Sequence, residues 1–448
     1  MRVLRYIFCF LLSFQCFAGE NEYLIIDEES ENLVGEIVDK LKGALNYKQD
    51  ISVYISSSRV LNAAATQTGD IIVNAGSIIR CENISELIAV LAHEVGHVAG
   101  GHITMFMSQR NAFMQMGLIT MLIGGAAAAL SGDPSPLLAG AYGAQIFPQK
   151  MALSKMRQIE NRADSKAAEA VKKLDWPVFA GFVSMHRKLQ NTVNSPSSDA
   201  NYWSTHPEST IRITKFLDYA AEEKKKAFSK ETIDYLASLQ HRLMIIKAKL
   251  KALVCDLKTV VGALESSENK VDKYALAIAL YRANMFADAE KLIDEIIASD
   301  SENFFNPAHL MEIKALCLLS RGKPKTAMDF AWSLCQKKTK IYRDLLILYA
   351  EAVIRCESKQ HAKQAINLLN ILYLKTKTDL TLINTIGRLY ALIGDDTSAS
   401  LFAAEAALVT GDKKSATFHS KKAMKSSNNI VRRKAADVLS DASAANCS

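Results

Sequence analysis

The chain has 448 residues, of which 49% are apolar and 23% charged, and a formal net charge of +7. That length exceeds what one hydrophobic core usually serves and predicts about two or three domains; the composition excludes a disordered chain and a polytopic membrane protein. The basic runs Lys224 to Lys226 and Arg432-Arg433 lie in polar helical contexts without interleaved aromatics, which argues against nucleic-acid binding. Solvated helix faces, or a mild attraction to an acidic membrane surface or partner, account for the excess better.

The chain opens with Arg2 and Arg5, an apolar stretch from Tyr6 to Phe14, and the small residue Ala18 two after Cys16. This predicts a signal peptide over residues 1–18, a mature start near Gly19, and export; a short membrane anchor and lipidation at Cys16 are the weaker alternatives. Beyond it, Cys81, Cys255, Cys317, Cys335, Cys356 and Cys447 form no close redox or zinc-knuckle pair, and most fall in helical apolar stripes as small buried residues.

A helix is expected over Glu31 to Leu45, then two short strands, "ISVYIS" at 51 to 56 and "DIIVNAGSII" at 70 to 79, making a small sheet. The second strand, around Ile71 to Asn74, is also where an extended substrate could add as a further strand. Asn83 with Glu86 three residues on reads as a capping box opening the next helix.

That helix carries "ELIAVLAHEVGHVAGGH", residues 86 to 102, in which three histidines and a glutamate interrupt an apolar run. Residues four apart share a helix face, so His93 and His97 can offer two ring nitrogens to one ion with Glu94 beside them. Zinc held by three protein ligands keeps a water, lowers its pKa towards neutrality and needs a nearby carboxylate to take its proton, a task suited to Glu94. The third ligand has two candidates. His102 falls one residue short of the spacing at which a third histidine follows in the same segment. The alternative is a carboxylate from a second helix in "SKMRQIENRADSKAAEA", where Glu160 and Asp164 stand one helical turn apart. There Glu160 could complete the set and Asp164 accept the other ring N–H of a ligand histidine; both otherwise read as exposed helix charges.

Between these helices Ala112 to Leu130 is an uncharged run of about bilayer-spanning length, also consistent with a closely packed or membrane-touching Gly/Ala-rich helix. From about Lys224 the strands vanish. Turn-like positions recur at Asn284, Gly322, Ser358 and Gly394, 36 to 38 residues apart, each between two amphipathic helices. This is the logic of tetratricopeptide arrays at about 34 residues per unit, with an irregular helical bundle as the alternative.

The segments "HEVGH" (93 to 97), "ENRAD" (160 to 164) and "STHPESTIRI" (204 to 213), with a signal peptide ahead and helical repeats behind, resemble the HtpX-like zinc metallopeptidases and their BepA-like periplasmic subgroup. The resemblance implies an α+β, mainly α architecture: a gluzincin-type peptidase domain with a small sheet over 19–223, then a helical tetratricopeptide-like solenoid over 224–445. It further implies one zinc ion per chain held by His93, His97 and Glu160, with Glu94 as general base and Asp164 as support. His206 would be a fourth, inhibitory ligand on a mobile loop, and Arg212 the residue that stabilises the oxyanion. Arg162, Gly101 and Ala64 depart from the family pattern at positions expected near substrate. The activity implied is an exported, periplasmic endopeptidase, with peripheral membrane contact as a further option, acting on misfolded or stalled outer-membrane proteins, with the β-barrel assembly machinery as partner of the repeats. A chaperone or scaffold with a latent zinc site is the rival reading.

Overall fold

The structure is a computed structural model and describes residues 22–66, 68–101, 154, 156–193, 210–301, 303–335, 342–374, 376 and 378–444. The expected signal peptide, His102, the run 112–130 and His206 lie outside the described residues. The chain divides into two compact units, one of Ser30–Leu250 with the short strand before it, the other of Ile26–Glu29 together with the chain from Lys251 onward. The expected boundary at 223/224, where the composition changes, precedes that division by one long helix.

In the first unit, strand β1 (Leu24–Ile25) leads into helix α1 (Glu28–Ala44), followed by β2 (Val53–Ser56), β3 (Ala63–Ala65) and β4 (Ile71–Asn74). These make a four-stranded sheet in the order β1-β2-β4-β3. β2 and β4 run parallel with Val53 opposite Ile71, while β1 and β3 pair antiparallel to them. Ile55, Ile71 and Val73 are fully buried, which is what the alternation of apolar residues in both strands requires.

The run 70 to 79 is only half strand. Its second half, Ala75–Arg80, is helix α2, whose Ala75, Gly76, Ser77 and Ile78 are buried. An apolar run of this length does not by itself distinguish a strand from a buried helical turn. β4 therefore lies between β2 and β3, bonded on both sides, and cannot accept an extended substrate; among the described residues the edge strands are β1 and β3, and β3 is the one beside β4.

Helix α3 (Ile84–Ala99) starts as expected, with the Asn83 side chain accepting from the Glu86 backbone N–H at 3.2 Å. The reciprocal bond is displaced by one residue: the Glu86 carboxylate accepts from Glu82 N–H at 2.7 Å and is fully buried, bonded also to Ser184 and Lys188. A helix over 156–173 (α4) crosses α3, and α5 (Phe179–Val193) and α6 (Thr210–Glu223) follow. Phe216 of α6 stacks on Phe182 of α5 with ring centroids 4.6 Å apart, and Phe179 and Tyr219 extend this aromatic contact. Helix α7 (Lys230–Val254) braces the unit: Tyr235 and Arg242 bond Glu36 of α1, and Gln240 accepts from Ile84 N–H at the start of α3.

The second unit continues with α8 (Leu257–Leu264) and then helices in pairs: α9 (Lys270–Arg282) with α10 (Phe286–Ser299), α11 (Pro307–Ser320) with α12 (Pro324–Cys335), α13 (Arg343–Arg355) with α14 (Lys359–Tyr373), α15 (Leu380–Ile393) with α16 (Asp396–Val409), and α17 (Lys413–Ala423) with α18 (Asn429–Ala444). Consecutive helices pack against each other, giving the tetratricopeptide-like solenoid. The turns inside the first four pairs take left-handed backbone at Asn284, Gly322, Glu357 and Gly394, with φ of 62°, 71°, 52° and 86°. Three are the positions expected; at the fourth the left-handed residue is Glu357, and Ser358 serves as the N-cap position of α14. The five cysteines among the described residues are all free, Cys81 and Cys317 being buried.

Candidate metal centre and active site

The site is built where α3 and α4 cross. Gly96, between the two histidines, lies so close to α4 that a Cβ added there would stand 2.5 Å from the Ala163 carbonyl oxygen. Only a glycine permits that approach, and it brings His93 and His97 against Glu160 and Asp164, which flank Ala163 on α4. A second glycine contact, Gly181 of α5 on the Ser85 backbone, holds the start of α3.

His93 Nε2 lies 3.1 Å from Glu160 Oε2, His97 Nε2 lies 3.3 Å from Glu160 Oε1, and the two Nε2 atoms are 3.0 Å apart. A tetrahedral zinc ion with donors about 2.0–2.1 Å away needs those donors roughly 3.3–3.4 Å from one another. The triangle of residues, with each imidazole facing a different oxygen of Glu160, is therefore close to the size zinc needs, and two imidazoles and one carboxylate are donor types that zinc takes. His93, His97 and Glu160 are also among the groups whose ligand atoms lie within 4.8 Å of one another, and all three are buried.

Asp164 lies behind His93, its Oδ1 3.0 Å from His93 Nδ1. Arg212, from the first turn of α6, donates to Asp164 through Nε at 2.6 Å and Nη2 at 2.9 Å, with Nη1 3.2 Å from Glu160 Oε2. Asp164 and Arg212 are 1% and 4% exposed. Burial alone would raise the Asp164 pKa, but the guanidinium and His93 hold it well below the usual carboxylate range. At His93 burial opposes the charged form, yet Glu160 and Asp164 outweigh it and push the imidazole up to about 10; at His97 burial wins and its pKa is lowered.

Glu94 is 1% exposed and turns towards the sheet, where its Oε2 accepts from the Ala65 N–H of edge strand β3 at 3.1 Å. The general-base candidate is thereby tied to the strand that runs beside the site. The structure brings His93, Glu94, His97, Glu160, Asp164 and Arg212 into one buried cluster. Sequence reasoning missed the part of Gly96, for which a small residue between two ligand-type histidines was the available signal, and the Ala65 contact, for which there was none.

A helix presenting two histidines, a carboxylate entering from a second helix and a supporting aspartate define a gluzincin-type metallopeptidase domain. Residues 28–220 match peptidase family M48 and form a domain of that family. The chain is 23% identical over 254 residues to a β-barrel assembly-enhancing protease of Yersinia pestis, covering 56% of this chain and 51% of that one. It is 21% identical over 294 residues to a putative β-barrel assembly-enhancing protease of Vibrio cholerae, covering 63% and 57%. The chain thus spans about half the length of the curated relatives it matches. Among solved structures, a tetratricopeptide repeat protein from Parabacteroides merdae superposes with a TM-score of 0.28 at 11% identity, over 58% of this chain and 98% of that one. That superposition is too loose to bear on the fold, which rests on the helix pairs themselves.

Proposed function

We propose that the chain is a zinc-dependent endopeptidase with one ion held by His93, His97 and Glu160. The observation that carries the reading is the buried group His93, His97 and Glu160, whose ring nitrogens and carboxylate oxygens approach in pairs to 3.0 to 3.3 Å, beside a buried glutamate. Bound there, zinc would supply Lewis acidity to a water and to the peptide carbonyl. Glu94 takes the proton of the attacking water and passes it to the leaving amine. Asp164, fixed by Arg212, accepts the Nδ1–H of His93 and so presents the Nε2 lone pair to the cation. Arg212, to which the family resemblance gave the oxyanion, is assigned here to holding Asp164 and Glu160. An extended substrate pairs with the edge strand β3, whose Ala65 is bonded to Glu94, so that backbone rather than side chains sets recognition. His206 is retained from the family resemblance as a fourth ligand that must leave before substrate enters.

The relatives' names and the paired helices support a role in outer-membrane protein assembly, with the repeats docking a partner and misassembled outer-membrane proteins as clients. The signal-type N-terminus supports a periplasmic location, and among the described residues no helix is long and apolar enough to cross a membrane. Purified wild type should bind one zinc per chain and cleave an unfolded polypeptide. Glu94→Gln should keep the zinc and slow cleavage by about 10²–10⁴-fold. Undiminished turnover in that variant would overturn the assignment.

A further inference from the structure

Helices α17 and α18, at the end of the solenoid, carry a charge distribution that the peptidase reading leaves unused. Residues 411–434 hold eight lysines and arginines against one acid, Asp412, an excess equal to the formal +7 of the entire chain. Elsewhere basic and acidic residues cancel. Asp412 is itself committed, accepting from the Ser415 backbone and hydroxyl as the N-cap of α17. Within this basic segment three large apolar side chains face water: Phe418 is 67% exposed, Ile430 61% and Met424 40%.

The arrangement is ordered. Along α17, Lys414, Phe418, Lys421 and, just past the helix end, Lys425 recur at spacings of four, three and four, which places them on one face. The buried residues Ala416, Ser420 and Ala423 define the opposite face. Phe418 thus stands exposed among lysines on the face of α17 that is turned away from the buried residues. Lysine stems can lie along an apolar boundary with their ammonium groups in the headgroup layer while an aromatic ring sits beneath them. One phenylalanine among these lysines offers no run of stacking platforms for successive bases, which favours a lipid surface over a nucleic acid.

We propose that this face of α17, extended by the start of α18, docks on an anionic lipid surface, with Phe418 entering the interface and Lys414, Lys421 and Lys425 binding the headgroups. The test is sedimentation of the full chain with vesicles of pure phosphatidylcholine and of equimolar phosphatidylcholine and phosphatidylglycerol. Wild type should bind the anionic vesicles, release them as salt is raised, and ignore the neutral ones. Reversing the charge of Lys414, Lys421 and Lys425 to glutamate should lower the partition coefficient by about tenfold or more. Phe418→Ser, which leaves the charge intact at a solvent-exposed position, should lower it about threefold or more while circular dichroism stays that of wild type. Equal binding to both vesicle types, or full binding by the charge-reversed variant, would overturn the proposal. So would a Phe418→Ser variant that binds like wild type, since it would mark the face as a general polyanion site.

Discussion

Asp164 stands between the His93 ring at 3.0 Å and the Arg212 guanidinium at 2.6 and 2.9 Å. On a bare helix it reads as surface charge; the crossing with α3 turns it into a buried anion. Its contact fixes which nitrogen of His93 faces the donor triangle, so Asp164→Asn should weaken zinc binding by about 10–100-fold, as measured by competition with a chromogenic chelator. Arg212 carries a different load. Its removal strips the buried acids Asp164 and Glu160 of the guanidinium they share, which costs about 3–5 kcal/mol. Arg212→Ala should therefore lower the melting temperature of the metal-free protein, and Arg212→Lys should recover only part, since an ammonium cannot reproduce the two-pronged contact. A variant as stable as wild type would return Arg212 to a role in the reaction alone. The spacing of Glu160 and Asp164 was legible in the sequence because one helical turn is a local fact; the burial of both, and of Arg212, depends on helices that meet only in the folded chain.

At the level of elements, the crossing of α3 and α4 is set by one missing side chain. An alanine at position 96 would place its Cβ 2.5 Å from the Ala163 carbonyl oxygen and 3.1 Å from its carbon, both backbone atoms that cannot rotate away. The helices would have to separate, at a cost of about 1–3 kcal/mol, and the two histidines would retreat from Glu160. Gly96→Ala should thus fold with reduced stability and bind zinc substoichiometrically, which metal analysis after gel filtration will show; full occupancy would mean that the crossing tolerates the shift. The boundaries of elements were legible where the signal is a local hydrogen bond or a backbone preference. Asn83 caps α3, and asparagine and glycine mark three of the first four intra-pair turns. They were less legible where tertiary pairing decides. The run 70 to 79 changes from strand to helix at Ala75 because β4 has only four paired positions opposite β2, and Glu357 adopts a left-handed conformation that its side chain does not advertise.

At the scale of the whole molecule, the chain's segregation into a peptidase unit and a repeat unit follows from composition, but the assignment of residues 26–29 to the repeat unit does not. Two helix N-termini cap each other there. Glu28 N–H donates to Asp344 Oδ2 at 2.7 Å, and Asp344 N–H donates to Glu28 Oε2 at 3.1 Å. The exchange satisfies backbone donors that each helix would leave open, at the expense of bringing two carboxylates together in a buried place that also holds Asp27 and Glu312. Burial first, and then the Asp344 charge, push Glu28 up to about 7; the Asp344 backbone bond, Arg343 and His309 oppose the rise without cancelling it. A carboxyl whose folded value exceeds its unfolded one binds its proton more tightly in the native state. Its contribution is fully present below the unfolded value of 4.5 and is lost as pH rises through about 7, a swing of about 3 kcal/mol for a shift of that size. Urea unfolding of the full chain across this window should show wild type losing stability relative to Glu28→Gln, whose amide keeps an acceptor for Asp344 N–H but cannot ionise. Parallel pH profiles for the two proteins would mean that Glu28 is charged throughout and that Arg343 and His309 suffice to neutralise the pair.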